Sequence, residues 1–368
     1  MGRARNWLWP PRFVALTNDI LIMPIFHGST VATGLGRAVV EVGIDRFGNG
    51  VSLDLDALGN AHGLVVGPSG RGKTKTVMSL ALRLLRASPG IRFLVLDPEG
   101  EYCPVLARYG FQCLYAGDAF IDYLAPLHED PTVKAHYIRE VVRHSMGVDD
   151  EAIGELYSMP YTGLPNALDW LVGNSQYRDA WLIARRLMPR SLVNLEQLLN
   201  RNAVISFTNH PSGESLRQFD PLVSLMMQAL IGEAFNYFLA RGRSTGELVT
   251  NVIIADEAYL ILGSRAVWQL IRAGRKRGLA LWFATQSVAD TPPGMLQNLG
   301  WALILAGPDA YIDEVAPRFG LTTGDREWLR LDLTPRLLGE YAMGILHSPP
   351  APRHVFIRLE PEVLQAPP

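Results

Sequence analysis

The stretch "HGLVVGPSGRGKT", residues 62–74, constrains this chain more than any other. A short apolar run enters Gly67, and Gly67, Gly72, Lys73 and Thr74 follow the order G-x-x-x-x-G-K-[ST]. That spacing describes a loop whose backbone N–H groups turn inward on phosphate oxygens, backed by the positive end of a helix. The helix is legible too, because "KTKTVMSLALRLLRAS" repeats its apolar residues at helical spacing. The spacing therefore predicts that Gly67, Pro68, Ser69, Gly70, Arg71, Gly72, Lys73, Thr74 and Lys75 hold a nucleotide. Lys73 would reach between the β- and γ-phosphates, and the Thr74 hydroxyl would hold Mg²⁺.

Lysine usage sharpens this reading. Of 34 basic residues only four are lysine, at 73, 75, 134 and 276. One of the four stands where a compact ammonium is needed and a planar guanidinium fits poorly.

Downstream, "RFLVLD" (92–97), "AVISFT" (203–208), "NVIIAD" (251–256), "LALWFAT" (279–285) and "WALILA" (301–306) are near-continuous apolar runs. Strands buried on both faces of a parallel sheet have this composition. Helical patterns separate several of them, which predicts an α/β architecture with a mostly parallel central sheet and ligands at the carboxyl ends of its strands. Two of these runs end in polar residues of the required chemistry. Asp256 suits an Mg²⁺ ligand, and Glu257 suits a base that activates an attacking water. Gln286, just past the run 279–285, can hydrogen-bond a γ-phosphate or that water. Arg272, Arg275, Lys276 and Arg277 crowd the end of the intervening helix, where cations also satisfy the helix dipole.

Composition excludes several classes. With 48% hydrophobic residues among 368, the chain can bury a large core. The apolar run Ile20 to Phe26 is broken by Pro24 and is far shorter than the ~20 residues of a membrane helix. A net charge of −2 excludes a globally basic nucleic-acid coat, although not a local basic pore. Cys103 and Cys113 are the only cysteines, too few for a disulfide framework or a paired metal site, and this predicts a reducing, cytoplasmic setting.

The ordered set "GPSGRGKT", "LVLDPEGEY", "IIADEAYLI" and "AGRKRGLALWFATQ" resembles the HerA/FtsK superfamily of hexameric P-loop ATPases. It is closest to the VirB/TraC-type ATPases of type IV secretion and conjugation. The resemblance covers roughly residues 35 to 360 and implies a RecA-like P-loop fold with a helical insertion. It implies ATP and Mg²⁺ as cofactors and a homo-hexamer. It further implies inner-membrane secretion-channel proteins as partners, DNA contact through the ring pore, and a place in the cytoplasm or at the cytoplasmic face of the inner membrane. Residue by residue, it carries the second Walker motif to Asp256 and Glu257 and the strand-end glutamine to Gln286. It makes Arg275 the arginine offered to a neighbouring subunit's nucleotide. Asp97, Glu99 and Glu101 match an acidic strand end of open role. Two other loads keep the same chemistry or part of it: a HerA-like DNA translocase with a nuclease or defence partner, and an ATP-dependent scaffold with little hydrolysis.

The expected organisation is an N-terminal extension with short strands (1–60), a first part of the core (61–129), a helical insertion (130–200), a second part (201–360) and a tail (361–368). Family members of this branch usually carry a large domain ahead of the motor, so the chain is either a motor-only relative or the later part of a longer protein. Arg185, Arg186 and Arg190 line the ring channel if the insertion faces it. His136 and His144, eight apart without further ligands, read as surface residues. The segment "RARNWLWPPRF" reads as a linker or a strip packed on the motor.

Overall fold

The computed structural model describes residues 38–116, 195–208, 220–240, 248–264, 267–268, 271–272, 277–331, 340–348 and 351–365. These are organised by one sheet of eleven strands. In chain order the strands are β1 (Val39–Ile44), β2 (Gly50–Asp54), β3 (Gly63–Val66), β4 (Arg92–Asp97), β5 (Gln112–Tyr115), β6 (Ala203–Ser206), β7 (Asn251–Ala255), β8 (Leu279–Thr285), β9 (Trp301–Leu305), β10 (Tyr341–His347) and β11 (Arg353–Arg358). Across the sheet they run β2-β1-β11-β10-β9-β3-β8-β7-β4-β6-β5.

Seven neighbours, β9 through β5, pair in parallel. The remaining four strands extend the sheet from β9 as antiparallel pairs. The division follows composition. Strands β3, β6, β8 and β9 are buried at every residue, as both-face burial under helices demands. Strand β11 alternates buried and half-exposed positions in "RHVFIR" along much of its length, as an antiparallel strand with one wet face does.

Alternation along the central strands divides the core in two. Leu64, Val66, Ile253, Leu281 and Phe283 face a layer that includes Val223, Met226, Met227 and Leu230 of the helix Asp220–Ala240. Val65, Val252, Ile254, Trp282 and Ala284 face α1 (Lys73–Ala87) through Val77, Leu80, Ala81 and Leu84. Period-two side-chain direction thus turns one buried sheet into the middle of three layers.

Helix α1 is also tied to the antiparallel extension by a buried guanidinium. Arg83 Nε donates to Glu360 Oε1 at 2.7 Å, and its other nitrogens donate to the carbonyls of Glu41, Val42 and Arg358.

One sequence expectation is corrected here. Cys103 and Cys113 form a disulfide, with Cα atoms 5.7 Å apart. The short helix Cys103–Leu106 and the turn after it fold back, so that β5 returns beside its own approach. The cysteines therefore no longer argue for a reducing compartment. The expected insertion between 130 and 200 lies outside the described residues apart from the short helix Leu195–Leu199 and Asn200. The N-terminal segment, His136, His144, Arg185, Arg186 and Arg190 lie wholly outside them.

Candidate nucleotide site

Three parallel neighbours build the site. Strand β8 lies between β3 and β7, so the carboxyl ends of all three meet at one edge of the sheet. The phosphate loop leaves β3, the acidic pair leaves β7, and Gln286 leaves β8 between them.

The loop has the geometry that its glycines imply. Gly70 and Gly72 adopt φ of 74° and 82°, in the left-handed region that side chains resist. Gly72 caps α1, whose first residue is Lys73. A Cβ at Gly70 or Gly72 would meet nothing within 4 Å, so backbone conformation and not crowding calls for glycine, and the space above the loop is open.

Lys73 Nζ donates to the Pro68 carbonyl at 3.2 Å, folded back on its own loop. Burial pushes its ammonium below the ordinary lysine value, against the opposing charges of Asp256, Glu257 and Glu101. Thr74 Oγ1 donates to Asp256 Oδ2 at 3.0 Å, and the Glu257 N–H donates to Asp256 Oδ1 at 2.9 Å. Asp256 is only 4% exposed, and burial pushes its carboxyl up to about 6. Its two contacts leave it beside the Thr74 hydroxyl, a pair of hard oxygen donors that fits Mg²⁺. Among the described residues no group of three or more His, Cys, Asp or Glu could hold a metal by itself. The donor set thus suits a cation that completes its shell with phosphate oxygens and water.

Glu257 is the one non-glycine residue at positive φ among the described residues, at φ 45° and ψ 48°. A left-handed glutamate costs roughly 1–2 kcal/mol of local strain. Such strain is concentrated where a side chain must be aimed. Here the carboxylate is aimed across to β8, where Gln286 Nε2 donates to Glu257 Oε1 at 3.2 Å.

The Asp97–Tyr102 motif, whose role the sequence leaves open, is a turn that buries Asp97 and Tyr102 and exposes Glu99 and Glu101. Asp97 accepts the backbone N–H groups of Gly100, Glu101 and Tyr102 at 2.9, 3.1 and 3.0 Å. Burial nevertheless pushes its carboxyl up to about 7. The Tyr102 ring is wholly buried, and burial together with Asp256 and Asp97 raises its phenol.

Residues 40–144 match the family model of the helicase HerA central domain. That segment contains the phosphate loop, α1, β4 and the Asp97–Tyr102 turn, so the chain carries the HerA-type resemblance that its motifs imply. The chain is 24% identical over 251 residues to the DNA import protein CedB of Sulfolobus acidocaldarius, a match covering 63% of this chain and 41% of that relative. The chain therefore spans less than half of the curated relative it matches. The solved VirB4 of Thermoanaerobacter pseudethanolicus superposes at a TM-score of 0.64 with 17% identity, covering 93% of this chain and 99% of that one. The fold is that of the RecA-like P-loop ATPases, as the HerA-like motifs imply.

The structure brings Lys73, Thr74, Asp256, Glu257 and Gln286 to one edge. Arg275 and Lys276 lie outside the described residues. Sequence reading missed the second tier around Gln286: Ser287, Asp290, Tyr311 and Glu314. Polar residues at a turn and on a later helix carry no spacing signal, and only the fold brings them together.

Proposed function

We propose that this chain is an Mg²⁺-dependent ATPase, the motor of a translocation machine of the secretion and conjugation type, working as a homo-hexamer. One observation carries the reading: a phosphate loop, an acidic pair and a strand-end glutamine converge on the same sheet edge, with Gln286 already bonded to Glu257. Residues Gly67 to Lys75 bind the triphosphate, Lys73 by its charge and the glycines by their N–H groups. Thr74 and Asp256 would hold Mg²⁺, and a cation there would supply charge neutralisation for the phosphate oxygens. Glu257 takes a proton from the attacking water, and Gln286 orients that water. Arg275 serves the neighbouring subunit's nucleotide. Channel proteins at the inner membrane are the partners of this reading; among the described residues no helix is long and apolar enough to cross a membrane.

A second reading is a HerA-like DNA translocase. It is favoured by the family match over 40–144 and by the similarity to a relative named for DNA import. One experiment tests both readings. ATP hydrolysis should require Mg²⁺ and disappear in Lys73→Ala. Strong stimulation by duplex DNA that falls steeply with salt, through counterion release, selects the DNA motor. Hydrolysis indifferent to DNA selects a protein load, and no hydrolysis at all rejects the ATPase.

A further inference from the structure

Beyond Gln286 the chain makes a tight turn, Val288–Asp290, before moving away from the sheet. Thr285 Oγ1 donates to Asp290 Oδ2 at 2.7 Å and closes the turn from inside. Its outer side is held by a residue 25 positions later. Glu314 Oε1 accepts both the Ser287 hydroxyl at 2.5 Å and the Ala289 N–H at 2.9 Å. Glu314 belongs to the helix Asp309–Phe319, and one turn earlier on that helix stands Tyr311. The Tyr311 hydroxyl donates to the Val66 carbonyl at 2.9 Å, the last residue of β3 before the phosphate loop.

The same helix therefore grips both the strand that enters the loop and the turn that leaves Gln286. Its approach is close: a Cβ on Gly307 would sit 2.6 Å from the Tyr311 ring and 2.9 Å from Pro68 Cγ, so only glycine lets the helix start lie against the loop. Ile312, Val315 and Ala316 anchor it in the core. Residues i and i+3 of one helix move together, so Tyr311 and Glu314 fix the distance between loop and turn.

We infer that Glu314 is a positioning residue for Gln286, and that the helix Asp309–Phe319 couples occupancy of the phosphate loop to the placement of the glutamine opposite Glu257. This rests on the ATPase reading and adds to it a route: Glu257, Gln286, Ser287, Glu314, Tyr311, Val66, Gly67. Glu314 bonds Ser287 and Ala289 of the turn. It acts by holding the turn, and misplacing an orienting group by about 1 Å costs turnover on the order of 100-fold while leaving the phosphate contacts intact.

The test compares Glu314→Ala, Glu314→Gln and Ser287→Ala with the unmodified chain. Glu314→Ala should lower kcat by ~10–100-fold with KM for ATP within about twofold. Glu314→Gln should restore most of that loss, because the amide oxygen still accepts both donors, whereas a purely electrostatic role would not survive loss of the charge. Ser287→Ala leaves the helix untouched, removes one of the two links and should fall between them, which keeps the test decisive if Glu314→Ala folds poorly. Amide exchange with Mg²⁺ and ATPγS separates the two layers of the argument. In the unmodified chain, filling the site should slow exchange at both 67–75 and 286–290. In Glu314→Ala only 67–75 should slow. No protection of 67–75 in the unmodified chain would defeat the nucleotide reading itself. Protection of both segments in Glu314→Ala, with unchanged kcat, would leave that reading standing and overturn the coupling.

Discussion

Gln286 Nε2 and Glu257 Oε1 lie 3.2 Å apart, bonded across the ends of two neighbouring strands. In this arrangement the glutamine already orients the carboxylate, and an arriving water can exchange for one of the two partners. Glu257→Gln should therefore bind ATP with near-normal affinity and lose turnover by ~100-fold or more, since only proton abstraction is deleted. Single-turnover hydrolysis beside equilibrium binding separates the two effects; normal turnover in that variant removes Glu257 from its role.

The same residue links stability to function. Glu257 holds a left-handed backbone at φ 45° and places a carboxylate next to buried Asp256. Glycine relieves the conformational cost, about 1–2 kcal/mol, although it gives part of that back through the freer unfolded chain. Glu257→Gly should thus melt at or above the temperature of the unmodified chain while being inactive. A clearly lower melting temperature would mean that the glutamate side chain supports the fold.

The parallel half of the sheet was legible because burial on both faces leaves a continuous apolar run. "RFLVLD", "LALWFAT" and the strand parts of "NVIIAD" and "WALILA" became β4, β8, β7 and β9. Strand β11 escaped, since "RHVFIR" mixes arginine and histidine into a half-wet strand that reads as loop. The first tier of the site was legible through spacing and strand-end position. The second tier was not, because Glu314 meets Ser287 only once β9 has paired with β3 and the helix Asp309–Phe319 has packed against the turn after β8. The Cys103–Cys113 pair was misread for a related reason: a separation of ten residues says nothing of a turn that brings the two together.

A histidine under the site gives a pH prediction independent of any metal. His62 Nδ1 accepts the Leu281 N–H at 2.8 Å, pinning the approach to β3 against β8. Burial, partly offset by a backbone contact at Ile271, lowers its pKa to about 3. Below the ordinary value of 6.5 the unfolded chain takes up a proton that folded His62 refuses. Stability from this group is therefore full above pH 6.5 and lost as pH falls towards 3, by about 1.4 kcal/mol per pH unit. His62→Asn keeps an acceptor for Leu281 and cannot protonate, so its urea midpoint should change less between pH 6.5 and 5 than that of the unmodified chain. Parallel profiles would show that His62 titrates normally in the fold.

The buried Arg83–Glu360 pair carries the last prediction. Its partners lie 277 residues apart, and it joins the phosphate-loop helix to the antiparallel extension. Glu360→Ala removes the acceptor of Arg83 Nε and leaves a guanidinium in the core, a change that costs about 3–5 kcal/mol in comparable sites. Glu360→Gln retains an acceptor and should cost less. Arg83→Met removes the charge but orphans the carbonyls of Glu41, Val42 and Arg358, and unmade buried hydrogen bonds cost about 1–3 kcal/mol each. Arg83→Met should accordingly destabilise at least as much as Glu360→Ala, the reverse of what an ion pair alone would give. Urea unfolding ranks the three. If Arg83→Met proves neutral, the arginine serves only its carboxylate, and the carbonyl contacts add nothing to the join between α1 and the sheet.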